Sequence, residues 1–263
     1  MENTAASFGN ELTTSLQRYF ATSIRGSVDD LFPYSAAELL DEASRSPILR
    51  QQSAQLGDPE CRVVGTLFAK RYSVFVMGLF AAISLFDTPL AASPEIVRFR
   101  VTSAGAMAYE TEFEDSPRMS TWHHEERRVK LVDYVLQLQS HLQHIFAAIS
   151  ASTGASIKVM WSLVSHNLRN LYTRLEADES LWRTTERLRL ILADRDVLFE
   201  PTSGNVFAVK LHLFEHPEWQ GAPLLLRGHC CLAYKIQHGS ESHGYCISCP
   251  QLRPEERLAM LLA

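Results

Sequence analysis

The chain has 263 residues, 46% of them apolar, and a formal net charge of −5. That length suits one large domain or two small ones with a sizeable core, and the mild acidity gives no sign of a nucleic-acid-binding surface. The N-terminus, Met1-Glu2-Asn3-Thr4, lacks the positive start and apolar stretch of a secretory signal, so a cytoplasmic protein is expected.

The first 90 residues read as helices. Ser35 followed by Glu38 has the spacing of a capping box and predicts a helix through Leu39, Leu40 and Ala43. A longer helix is expected from about Glu60 to Phe86, ended by Asp87, Thr88 and Pro89. Its most apolar run, Tyr72 to Phe86, has 15 residues, short of the roughly 20 that cross a membrane. A buried core helix is the expectation, with Cys61 at its start as a small core residue.

At 96–113 the period changes. Val97, Phe99 and Val101 alternate with Arg98, Arg100 and Thr102, and Tyr109, Thr111 and Phe113 alternate with Glu110 and Glu112. This predicts a β-hairpin turning at Ser103–Ala106. A register pairing Arg100 with Glu110, Arg98 with Glu112, Val101 with Tyr109 and Val97 with Phe113 satisfies both faces. Helical spacing returns over about Thr121 to Ile149, then Ile157 to Leu175, then Glu179 to Leu192. Asp194 to Gly204 is polar and turn-rich. Short strands are expected at Val206–Phe214 and Leu224–His229, and Pro254 opens a last helix. The fold class expected is α+β, mainly α. A helical body (1–200) carries the hairpin, and a small strand-and-loop region (201–263) follows.

Four of the five cysteines lie in that last region: Cys230-Cys231, fourteen residues, then Cys246-x-x-Cys249-Pro250. A tight thiol cluster in a chain without an export signal reads as metal binding rather than a disulfide framework. Four thiolates suit a [2Fe-2S] cluster, two on each iron, or a structural zinc. Zinc sites usually use two separated knuckles, and an adjacent Cys-Cys pair is unusual for them. Successive strand residues point to opposite faces, so Cys230 and Cys231 converge only where the strand ends or bends.

The stretch Arg227-Gly-His-Cys-Cys-Leu-Ala-Tyr-Lys…Tyr245-Cys-Ile-Ser-Cys-Pro250 resembles the C-terminus of the ferric siderophore reductases of the FhuF-like family. Their signature is a Cys-Cys pair, a spacer of about ten residues and C-x-x-C close to the chain end. Met160-Trp-Ser-Leu-Val-Ser-His-Asn-Leu-Arg-Asn-Leu-Tyr172 resembles that family's Trp-Ser helix, and Leu67-Phe-Ala-Lys-Arg-Tyr72 its buried helix. The spacer here is longer, and His238–Gly244 has the composition of a loop that absorbs the excess.

The resemblance implies a [2Fe-2S] cluster on Cys230, Cys231, Cys246 and Cys249 and one-electron reduction of siderophore-bound Fe(III). It also implies a ferric siderophore complex as substrate, a separate electron donor and transient contact with an inner-membrane siderophore importer. No dinucleotide fingerprint is present, in keeping with an external donor. Arg227, His229, Lys235, His238 and His243 surround the cysteines in sequence; they form either a positive rim for an anionic complex or ordinary solvated residues. Tyr234 is a candidate to pack over the cluster or the ligand, or a plain core or edge tyrosine. Trp161 is either a core anchor or part of a siderophore pocket. His123-His124-Glu125-Glu126 lacks the third ligand of a zinc-protease helix, and His141 and His144 share one helix face. The competing functions are a non-catalytic iron–sulfur sensor or carrier, a structural zinc module, and a siderophore-binding relative of siderophore synthetases.

Overall fold

The computed structural model describes residues 2–26, 31–115, 119, 123–238, 241–242 and 244–263. Mainly helical, it is built around one long helix. In chain order the elements are α1 (Glu2–Phe20), β1 (Thr22–Ile24), β2 (Tyr34–Ser35), α2 (Glu42–Gln55), α3 (Cys61–Phe86), β3 (Arg98–Val101) and β4 (Met107–Thr111). Then come α4 (His124–Thr153), α5 (Ile157–Ala177), α6 (Glu179–Trp182), α7 (Thr185–Leu198), β5 (His212–Leu213), β6 (Leu225–Leu226), β7 (Gln237–His238), β8 (Glu241–Ser242) and α8 (Pro254–Leu262).

Helix α3 is apolar on all sides because it is covered on all sides. It packs on α1, α2, α4, α5 and α7 and on strand β4. Long and apolar enough to cross a membrane, it has 78% of its most apolar window buried inside the protein, so core burial accounts for that apolarity. Phe68, Tyr72, Phe75, Val76, Leu79 and Phe80 are all essentially inaccessible. A Cβ at Gly65 would lie 2.1 Å from Thr153 Oγ1; glycine is what lets α3 approach the α4–α5 junction so closely. Cys61, expected in the core, is instead exposed. It sits on the first turn, before the buried stretch begins at Val63.

The expected capping box forms: Ser35 Oγ accepts from Ala37 N, and Glu38 Oε2 accepts from Ser35 N at 2.6 Å. It opens a short 3-10 turn over Ala36–Leu39 rather than a continuous helix, because Asp41 makes a second cap by accepting from Ser44 N. The hairpin also forms, with a register two residues from the expected one. Arg98 faces Glu110, Phe99 faces Tyr109, and Val101 faces Met107. The reason is a three-residue turn, Ser103–Gly105, closed by Thr102 N donating to Ala106 O at 2.7 Å. Gly105 supplies its left-handed residue at φ +62. A slip of two preserves which side chains face inward, so Phe99 and Tyr109 stay buried. Phe113 leaves the ladder and is half exposed.

Two further strands complete the sheet in the order β1-β4-β3-β2, with β1 parallel to β4. They bring Arg25 to Glu110 at 3.5 Å and into contact with Glu112. The acids expected to pair with Arg98 and Arg100 thus pair elsewhere, and Arg98 donates to Phe32 O at 2.8 Å instead.

The third helix of the body is broken. Arg183 turns left-handed at φ +56, Thr184 caps a new start by accepting from Arg187 N, and α7 runs on to Leu198. Asp194, expected in a turn, is therefore a buried helical residue. It joins an ionic knot. Arg127 donates to Asp194 Oδ1 at 2.9 Å and Oδ2 at 2.7 Å and to Asp87 Oδ1 at 2.6 Å; Arg187 holds both oxygens of Asp87. Burial raises the Asp87 carboxyl, but the hydrogen bonds and charge of Arg187 and then Arg127 outweigh it and hold the group below its usual range. Two cations and two anions balance, which is the condition for keeping such groups inside.

The chain leaves the helical core only after Phe207, which lies between Phe80 and Trp161. The strands expected at 206–214 and 224–229 shrink to the two-residue pair β5–β6. The last region docks on α3 and α5 through its own small cluster: Leu56, Val63, Leu67, Leu163, Cys231, Ala233 and Ile236.

Candidate metal centre

The turn that gathers the cysteines begins at Leu232. Cys230 and Cys231 lie outside any strand, and Leu232 adopts a left-handed backbone at φ +62. A branched residue there costs about 1 kcal/mol, offset by the burial of Cys231 and Ala233 against α3 and α5. The reversal lets adjacent side chains serve one site, and it aims Leu232 N at Cys230 Sγ, 3.4 Å away. The spacer then folds back as the β7–β8 ribbon. The second half is a tight turn in which Cys249 N donates to Cys246 O at 2.8 Å. Arg227 N ties the halves together by donating to Ser248 O at 3.0 Å.

The four thiols stand as two pairs. Cys249 Sγ lies 3.5 Å from Cys230 Sγ, and Cys246 hydrogen-bonds to Cys231. Each pair joins one residue of the Cys-Cys step to one of the C-x-x-C turn. All five cysteines are free thiols. Among the described residues no three His, Cys, Asp or Glu side chains close on a single point. Two thiolates on one tetrahedral ion, with bonds of about 2.3 Å, stand about 3.8 Å apart. The 3.5 Å spacing of Cys230 and Cys249 is close to that value, so the donor set fits a centre with two sulfurs on each of two metals.

The electrostatics favour thiolate at Cys231. The hydrogen bond from Cys246 brings Cys231 down to about 4 against the opposing effect of burial, helped by the charges of Lys70 and Arg227 and by Ala233 N. The same bond, with burial, pushes Cys246 up: the pair shares one proton. Burial pushes Cys230 up to about 11. Arg227 Nη1 lies 3.0 Å from Cys231 Sγ and 3.1 Å from Cys246 Sγ, donating to both. A fixed guanidinium on two sulfurs stabilises negative charge there.

The other expected residues divide. The ring of Tyr234 meets that of Tyr245 at 4.7 Å, and Tyr245 is within electrostatic reach of Cys249 and Cys230. Lys235 turns away and pairs with Glu60 at 2.9 Å, fastening the region to the start of α3. Trp161 is 7% exposed, packs on Phe146 and Phe207, and donates Nε1 to Gln143 Oε1 at 3.1 Å, the surroundings of a core anchor. His229 is half-buried with Nδ1 lacking a partner. His243 lies outside the described residues, as does the side chain of His238. His141 is buried between Tyr72 and Ala92 while His144 is exposed, and His123 stands at the N-cap position of α4 without a side-chain cap bond.

One residue of the site has no signal in the cysteine pattern. Arg257, on α8 and 3% exposed, donates Nε to Ile247 O at 2.9 Å and Nη2 to Cys249 O at 2.6 Å and Leu252 O at 3.0 Å. It braces the C-x-x-C turn from behind. Its spacing, one helical turn after Arg253 and Pro254, looks like an exposed helix charge until the turn is seen to wrap around it.

Compared with known proteins, the chain matches no family model and no curated protein.

Proposed function

We propose that the chain is a ferric siderophore reductase, a cytoplasmic enzyme whose Cys230, Cys231, Cys246 and Cys249 hold a [2Fe-2S] cluster. When bound, such a cluster supplies single electrons. The observation that carries this reading is the pairing of the sulfurs: Cys230 with Cys249, and Cys231 with Cys246 under the guanidinium of Arg227. Four thiolates around one zinc call for a single point of convergence, and two pairs suit two irons better.

The substrate explains why so little other machinery is needed. A siderophore holds Fe(III) with hard oxygen donors. One added electron lowers the ion's charge and weakens every bond, so reduction releases the iron. No nucleophile or general acid is required for that step. The chain has to hold the complex close to the sulfurs, and Arg227, Lys70 and the amide of Leu232 favour negative charge at the centre, which raises its reduction potential. Electrons come from a separate donor, and the substrate from an inner-membrane importer.

The test is a visible and EPR spectrum of anaerobically purified protein, before and after dithionite, followed by a ferric siderophore. The expected result is a [2Fe-2S] spectrum that bleaches on reduction and returns when the ferric complex is added. A colourless protein with one zinc would make the region a structural module. A cluster that no ferric complex reoxidises would make the protein an iron–sulfur sensor or carrier.

A further inference from the structure

Cys230 opens onto a cavity of about 300 Å³. Its walls come from three places that the sequence keeps far apart: Arg62 and Thr66 on α3, Ser156 and Val159 at the start of α5, and the loops bearing His229 and Gln251. No described carboxylate lines it. Glu60, the acid closest to Arg62 in sequence, is held by Lys235 at 2.9 Å, so Arg62 feels its charge without forming a direct ion pair among the described residues. His229 adds a buried Nδ1 with no partner. Ser156, the N-cap of the 21-residue α5, makes no side-chain cap and lines the cavity, so the positive end of that helix dipole lies at this wall.

We propose that this cavity is the docking site of the ferric complex, and that it takes the anionic oxygen-donor edge of the chelate. The inference rests on the reductase reading and adds the substrate's charge class and its side of approach. A volume of 300 Å³ admits one chelating arm, not a whole siderophore, so most of the complex stays in solvent. Docking there sets the bound iron against the Cys230–Cys249 pair rather than the Arg227-capped pair. Arg62 attracts the arm's negative charge; His229 and Gln251 offer polar contacts at its edge.

Gallium(III) separates docking from electron transfer, because it mimics ferric chelates and is not reduced. Binding of a trianionic gallium tricatecholate and of a cationic gallium trihydroxamate is measured by equilibrium dialysis on the protein as purified. The expected result is tighter binding of the anionic chelate. Arg62→Glu weakens it about tenfold or more, Arg62→Lys retains most of it, and Lys210→Glu, outside the cavity lining, changes it little. The visible spectrum stays the same in all variants, since Arg62 touches no sulfur. Undiminished binding to Arg62→Glu, or a preference for the cationic chelate, overturns the docking site and leaves the reductase reading standing. A wild-type protein that binds neither chelate takes both down.

Discussion

The guanidinium of Arg257 holds the carbonyl oxygen of Cys249 at 2.6 Å without touching a sulfur. Two more carbonyls, of Ile247 and Leu252, share the same cation. A turn that must present two thiolates on one side is thus anchored on its other side by a residue on the helix that follows. Arg257→Met leaves these carbonyls buried and unpaired, a loss of about 2–4 kcal/mol. Metal per chain should fall with the melting temperature. Arg257→Lys recovers only part of both, since a point donor cannot span three acceptors. Full metal content in Arg257→Met would remove the bracing role.

Arg227 acts on the sulfurs directly. Arg227→Leu deletes two donors that favour the more negative state of the centre. A loss of about 1.4 kcal/mol in that preference corresponds to about 60 mV for one electron, so the midpoint potential should drop by about that much. An EPR-monitored redox titration checks it, and an unmoved potential would mean that the guanidinium turns elsewhere once metal is bound.

The cysteines separate cleanly. Changing any of the four clustered cysteines to Ser should abolish or destabilise metal binding, whereas exposed Cys61→Ser should leave metal content and stability unchanged. Iron and acid-labile sulfide assays read this out; a metal-free Cys61→Ser protein would contradict it.

His141 makes the body sensitive to acid. Burial lowers its pKa to about 4, opposed only in part by its bond to Ala92 O. Its Nε2 lies 2.9 Å from the Tyr72 hydroxyl, which suits a neutral ring accepting from tyrosine. Between pH 4 and 6.5 the unfolded chain binds a proton there that the folded chain does not, so stability falls as pH falls through that window. The full effect is about 3 kcal/mol. Denaturant titrations at pH 7 and 4.5 should show a smaller drop for His141→Gln than for the wild type.

The ionic knot should tolerate removal as a unit better than in parts. Arg127→Met strands Asp194 without its cation, leaves Asp87 to Arg187 alone, and should cost about 3–5 kcal/mol. Adding Asp194→Leu should recover part of the loss. Equal stabilities of the single and double variants would deny the coupling.

What the sequence revealed followed from local rules. The long helices, the hairpin, the Ser35–Glu38 cap and the four cysteines each declare themselves within a few residues. What it hid depended on distant partners. Asp194 reads as a turn residue until Arg127, 67 positions away, is placed beside it. The hairpin register looked fixed by opposite charges across the strands, yet the turn at Gly105 sets it, because β1 brings Arg25 to claim Glu110 and Glu112. Arg257 is silent for the same reason: its acceptors are main-chain carbonyls, which every sequence has.

The small cluster of Leu56, Val63, Leu67, Leu163, Cys231, Ala233 and Ile236 has a consequence for biogenesis. Its hosts, α3 and α5, belong to a core that closes at Phe207, before the first ligand cysteine is reached. A growing chain therefore completes the sequence of its scaffold before it offers any of the four clustered thiols, and the last quarter folds onto that surface. In the proposed reductase this would make cluster loading a late event, on helices that are already folded.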